Sequence, residues 1–153
     1  MTLSDILTPD VVVPEMKATD RWQAIDELLA VLVKTGRIKP EDLPAITDVV
    51  KKRETTMSTG IGFGIGIPHA TTDLITDVVG AFGRSKTGIN FDALDEQPVN
   101  LVVLFLVPQG QFQKHLHTLA NIAKFLHDRH LREQLQNAAT ADDLVQVIRS
   151  QKA

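Results

Sequence analysis

The residues best suited to chemistry in this chain are its five histidines, His69, His115, His117, His127 and His130. An imidazole is partly neutral near neutral pH, so each can serve as nucleophile, base or metal ligand. His69 has the most unusual surroundings. It follows Ile67-Pro68 and a glycine-rich stretch, and it precedes Ala70-Thr71-Thr72-Asp73. The hydroxyls of Ser58, Thr59, Thr71 and Thr72, with backbone N–H groups such as that of Gly60, are candidate anion donors. Arg53 offers the planar fork that suits a phosphate. No Gly-Lys-Ser/Thr follows the glycines, so they do not form a P-loop. A surface histidine at a strand end is the competing reading. His115 and His117 stand two apart on an expected helix, a rotation of about 200° that points them to opposite faces and keeps them from sharing a metal. That geometry does not choose between them. His127 and His130 flank Asp128-Arg129 and read as solvated helix-end residues.

The elements that must position these groups follow from hydrophobic spacing. Leu3–Val13 reads as a lead-in punctuated by Pro9 and Pro14. Thr19 or Asp20 caps a first long helix carrying Trp22, Ile25, Leu28, Leu29, Leu32 and Val33, and Gly36 closes it. Pro40 opens a second helix with a stripe of Leu43, Ile46, Val49 and Val50 and with Lys51, Lys52 and Arg53 at its end. From Met57 to His69, glycines alternate with Ile61, Phe63, Ile65 and Ile67. Period two predicts one strand with a bare glycine face that another backbone or a ligand can approach, and Pro68 places His69 just past its end. Val78–Arg84 and Val99–Val107 are further strands, the second central because it is apolar on both faces, with a short strand at Ile89–Phe91 between them. A helix from Phe112 to Leu126 and a last one starting at Thr140 and carrying Leu144, Val147 and Ile148 complete an α/β sandwich.

Composition bounds the function. The chain has 153 residues and a formal charge of −3, against the basic excess of nucleic-acid binders. With no cysteine, disulfides, thiol catalysis and thiolate metal sites drop out. The longest apolar run, Val99–Val107, is broken by Asn100 and too short to cross a bilayer, and the first residues lack the pattern of a signal peptide. The expectation is one cytoplasmic domain over residues 1–153, with no nucleic-acid partner and no membrane insertion.

Arg53-Glu54, Ser58-Thr-Gly-Ile-Gly62, Gly64-Ile-Gly-Ile-Pro-His69, Asn90-Phe-Asp-Ala-Leu-Asp-Glu-Gln-Pro-Val99 and His115-Leu-His-Thr-Leu119 together closely resemble the enzyme IIA domain of the bacterial sugar phosphotransferase system, fructose/mannitol type. The resemblance covers essentially the whole chain in order. The string Lys114–Leu119 is most similar to the nitrogen-regulatory branch. The resemblance implies a single-domain three-layer α/β sandwich with a mixed sheet flanked by helices on both faces. It implies that His69 accepts a phosphoryl group from the histidine phosphocarrier protein, that His115 supports it and that Arg53 holds the phosphate. Ser58, Thr59, Gly60, Phe63, Thr71 and His117 are the expected phosphate- or partner-binding residues. Neither cofactor nor metal is implied. Downstream partners are regulatory targets, potassium uptake among those of the branch, or a IIB domain.

The chain departs from the family pattern where Phe63 replaces Asn, Gly66 replaces Ala, and Ala70-Thr71 replaces a Gly-Lys pair, which removes a basic group beside His69. Three alternatives compete: a sugar-specific IIA passing phosphate to IIB; an interaction module without phosphotransfer, marked by Phe63 and Ala70-Thr71; and a metal hydrolase built on His69, Asp73, His115 and His117, which the helix spacing disfavours.

Overall fold

The computed structural model describes residues 3–150. A short helix α1 (Leu3–Ile6) and a 3-10 turn (Pro9–Val11) lead to strand β1 (Val12–Val13). Helices α2 (Arg21–Lys34) and α3 (Leu43–Thr56) follow, then β2 (Gly60–Gly62), β3 (Ile65–Gly66), β4 (His69–Thr72), β5 (Val79–Ile89) and β6 (Val99–Pro108). Three helices end the chain: α4 (Phe112–Leu126), α5 (Arg129–Asn137) and α6 (Ala141–Ser150). The strands form one mixed sheet in the order β1-β5-β6-β3-β2, with β4 continuing along β6 beyond β3. The fold is the expected α/β sandwich: helices flank the sheet on both faces, α2 packed on α3, and α1, α6, α5 and α4 packed in series. β6 is buried along almost its whole length, as apolarity on both faces requires.

Local chemistry explains the boundaries. Asp20 caps α2 by accepting the Gln23 N–H at 2.8 Å, and Ala24, Ile25, Leu28, Leu29 and Leu32 form its buried stripe. Gly36 ends it with φ +78°. Pro40 opens a 3-10 turn that runs into α3 rather than α3 itself. The buried stripe of α3 is Ile46, Val50 and Glu54, while Val49 lies outside it at 39% exposure.

The glycine-rich segment is not one strand. Gly62, Phe63 and Gly64 all have positive φ, at +97°, +58° and +77°, and reverse the chain into an antiparallel β2–β3 hairpin. The alternation survives because the glycines admit the chain's own loop. A Cβ on Gly60 would stand 2.7 Å from that of Ala93, and one on Gly66 would stand 3.0 Å from the Phe91 ring. Nor does Pro68 end the pairing. It lacks an N–H, but its carbonyl accepts the Phe105 N–H at 3.0 Å, so pairing resumes at once. His69 therefore opens β4, opposite Phe105 of β6, instead of lying past a strand end.

Three elements escape the sequence pattern. β1 pairs parallel with β5 inside the expected lead-in. β5 runs on to Ile89, with a shift of register after Arg84, in place of a separate strand at Ile89–Phe91. α5 is capped by Asp128, which accepts the Leu131 N–H at 3.1 Å, and buries Leu131 and Leu135. His127 and His130 are exposed around its start, as read. Arg84 ties the C-terminal helices to the sheet: from full burial it donates to the carbonyls of Pro14 and Leu135, each at 3.0 Å, and to that of Ala138.

Candidate functional site

A cavity of about 350 Å³ lies where the end of α3, the β3–β4 junction and α4 meet. Arg53, Met57, Ser58, Thr59, Ile67, His69, Leu94, Leu116, Ala120 and Ala123 line it. Four residues singled out from sequence, Arg53, Ser58, Thr59 and His69, thus share one site. A larger open cavity of about 630 Å³ near Thr19, Asn90 and Gln97 contains none of them.

The half-buried ring of His69 is fixed from two directions. Its Nδ1 stands 2.8 Å from the Ile67 carbonyl oxygen, and a carbonyl only accepts, so Nδ1 carries the proton. Nε2 keeps its lone pair. The Phe112 ring at the start of α4 lies nearly parallel, 15° between planes and 6.4 Å between centroids. Burial pushes the His69 pKa below its ordinary value, and the nearby Arg53 charge adds to that. The Ile67 hydrogen bond and the Glu54 carboxylate oppose the shift without reversing it. The site therefore favours the neutral imidazole with its lone pair on Nε2, the form a nucleophile needs.

Arg53 is placed by the last turn of α3 and donates from Nη1 to the Met57 carbonyl at 3.0 Å. Among the described residues it has no carboxylate partner, so its charge is available to an anion. Its neighbour Glu54 points inward and is 1% exposed. The Thr59 N–H donates to one Glu54 oxygen at 2.8 Å and the Thr59 hydroxyl to the other. Arg21 adds an ion pair at 3.4 Å.

The other expected residues divide. The Ser58 hydroxyl donates to the Phe91 carbonyl at 2.8 Å and accepts the Gly60 N–H at 3.1 Å, while the Thr59 hydroxyl is held by Glu54. These donors brace the loop rather than standing free for an anion. Thr71 is half-buried on β4 opposite Val107, outside the cavity lining. His115 is half-buried on α4 one position before Leu116 and is not itself in the lining. Burial, then the Lys114 charge, lowers its pKa. His117 is exposed. Phe63 caps the hairpin at 62% exposure, edge-on to His127 at 5.2 Å and under the Arg132 guanidinium at 5.0 Å, and so belongs to a different surface from the cavity. The side chains of Ile61, Thr118 and Leu119, which belong to the sequence motifs, lie outside the described residues. No group of three His, Cys, Asp or Glu among the described residues could hold a metal ion, and Asp73 is exposed.

Glu54 and Phe112 are the site residues that the sequence reading did not single out by role. Glu54 had a signal: it falls four residues after Val50 and eight after Ile46, on the apolar stripe of α3. A carboxylate at a buried stripe position needs partners. Phe112 had none, since an aromatic opening a helix reads as ordinary core.

Comparisons with known proteins agree across the chain. Residues 5–151 match the family model described as phosphoenolpyruvate-dependent sugar phosphotransferase system, EIIA 2. The nitrogen regulatory protein of Bradyrhizobium diazoefficiens is 32% identical over 148 residues, covering 97% of this chain and 95% of that protein. The fructose-specific EIIA component of Haloferax volcanii is 36% identical over 151 residues, covering 97% of each. The chain spans only 23% of the fructose-specific EIIABC component of Bacillus subtilis, to which it is 34% identical over 148 residues. The crystal structure of nitrogen regulatory protein IIA-Ntr from Neisseria meningitidis superposes with a TM-score of 0.85 at 27% identity, covering 95% of this chain and 98% of that one.

Proposed function

The chain belongs to the EIIA type 2 family of the phosphoenolpyruvate-dependent phosphotransferase system, and on that premise we propose that it is a phosphohistidine carrier whose acceptor atom is Nε2 of His69. The observation that carries this reading is the 2.8 Å contact of Nδ1 with the Ile67 carbonyl, which leaves Nε2 as the nucleophile in a cavity shared with Arg53. The donor is a phosphohistidine on the histidine phosphocarrier protein. The Nε2 lone pair forms a new N–P bond, the donor's N–P bond breaks, and its electron pair stays on the donor imidazole. Positive charge grows on the His69 ring as the bond forms, and the Ile67 carbonyl stabilises it through the Nδ1 proton. Arg53 meets the phosphoryl oxygens. Transfer of this kind rests on positioning and charge stabilisation more than on covalent chemistry. His115 acts from the α4 side as the supporting histidine. The exposed apolar side chains of Met57, Leu94 and Leu116 rim the cavity, where a docked donor protein would cover them and shield the labile N–P bond from water.

The protein is proposed to act in the cytoplasm and in the nitrogen-regulatory branch, on the strength of the Lys114–Leu119 string. A second reading, a sugar-specific IIA that passes phosphate to a fructose-type IIB, is supported by the Haloferax relative of matching length. That relative means that chain length does not separate the two. No helix among the described residues is long and apolar enough to cross a membrane.

The test is incubation with phosphoenolpyruvate, enzyme I and the histidine phosphocarrier protein. The wild type should gain one acid-labile phosphoryl group, His69→Ala should gain none while staying folded, and His115→Ala should be labelled more slowly. Labelling of His69→Ala at the wild-type rate would refute the assignment. Rapid onward transfer to a fructose-type IIB would favour the sugar-specific reading.

A further inference from the structure

Glu54 is among the most deeply buried charged groups described, and the phosphoryl chemistry above does not use it. Its surroundings consist only of donors: the Thr59 N–H, the Thr59 hydroxyl and Arg21 Nη1. From Thr59 one line of hydrogen bonds and one short stretch of chain lead into the site. The Thr59 carbonyl accepts the Ile67 N–H at 3.0 Å, and the Ile67 carbonyl accepts the His69 Nδ1 proton at 2.8 Å. In the other direction, the turn that Thr59 closes contains Met57, whose carbonyl holds Arg53 at 3.0 Å. One buried carboxylate thus anchors the segment from which both the nucleophile and the phosphate-holding arginine take their orientation.

We infer that Glu54 is a positioning residue for phosphoryl transfer, acting through Thr59 on the tautomer and orientation of His69 and on the placement of Arg53. This inference rests on the proposed carrier function for its kinetic part and on the geometry alone for its tautomer part. A loose Thr59 lets the Ile67 carbonyl drift, and the Nδ1 proton loses its acceptor. The ring then samples the other tautomer, in which Nε2 carries the proton and cannot attack phosphorus. Partners of this indirect kind matter because the tautomer of a working histidine is set by the bond its second nitrogen makes.

The experiment uses Glu54→Gln in the full chain. An amide offers one acceptor oxygen and sets an N–H group against donors, so the anchor is broken while the volume is kept. Two measurements are made. Long-range 15N–1H correlation of the unphosphorylated protein reads the His69 tautomer. Transfer from the phosphorylated histidine carrier protein reads kcat and KM. The expected result is a shift from the Nδ1–H form to a tautomer mixture, a kcat lower by about 10- to 100-fold, and an unchanged KM for the donor, because Glu54 is buried away from any docking surface. If Glu54→Gln does not fold, Thr59→Val removes one of the three donors and should move both readouts the same way by a smaller factor. A folded Glu54→Gln with the wild-type tautomer and kcat overturns the inference, and so does a loss that appears wholly in KM. If the wild type takes no phosphoryl group, the carrier function fails, but the tautomer measurement still decides whether Glu54 positions His69.

Discussion

The Nδ1 proton of His69 is committed to the Ile67 carbonyl, and burial together with the Arg53 charge pushes the ring's pKa below the ordinary histidine value. Four outcomes follow from this arrangement. Arg53→Ala should cost on the order of 1.5–3 kcal/mol of transition-state stabilisation, the worth of a charge-assisted bond, read as kcat/KM for transfer from the phosphorylated carrier. The same substitution should raise the His69 pKa, since Arg53 disfavours the imidazolium. The wild-type acceptor should stay active as pH falls through 6.5, the unperturbed value, and lose activity only below it. The sign for stability is the same: the unfolded chain binds a proton at His69 before the folded chain does, so His69 destabilises the fold as pH drops through 6.5 toward the lower folded-state value. An NMR titration of His69 in both proteins checks the shift. The identities of His69, Arg53, Ser58 and Thr59 were legible because residue type and local motif mark them. That Ser58 and Thr59 brace the loop was not, because both hydroxyls find partners, Phe91 and Glu54, that only the folded chain brings to them.

The β2–β3 hairpin shows why elements are harder to read than residues. Alternating glycines give the same period in one strand as in two strands joined by a tight turn, and the sequence could not reveal that Phe63 takes φ +58°. Nor could it show that Ala93 and Phe91 fill the glycine face, since that approach depends on the long-range fold. Gly60→Ala should therefore destabilise the protein by about 1–3 kcal/mol, as overpacking does, measured by denaturant unfolding. A neutral effect would mean that the 93–98 loop yields easily. Helix α2 was legible because its Asp20 cap and its apolar periodicity agree, and α4 because of its apolar periodicity alone. α5 was not, because Leu131 and Leu135 are its only buried residues in a strongly polar segment. His69 fell on a strand rather than beyond one because proline blocks only the N–H side of pairing, and its carbonyl still meets Phe105.

Across the molecule, the site is assembled from both halves of the chain: α3 and β2–β4 bring Arg53 and His69, while α4 brings Phe112 and Leu116. The C-terminal helices must therefore stay registered on the sheet, and Arg84 is the buried tie that does this. Arg84→Leu leaves the carbonyls of Pro14, Leu135 and Ala138 without that donor and should cost about 2–4 kcal/mol of stability, read from thermal or denaturant unfolding. An unfolding curve like that of the wild type would show that the C-terminal helices hold without the tie. The family match over residues 5–151 fits a site that needs nearly every element of the fold. The most direct test of the central claim is to phosphorylate the protein through the histidine phosphocarrier protein and assign the modified nitrogen by long-range 15N–1H and 31P NMR. The expected result is a single phosphoryl group on Nε2 of His69, with the proton still on Nδ1. A phosphoryl group on Nδ1, on His115 or on no histidine at all would contradict it.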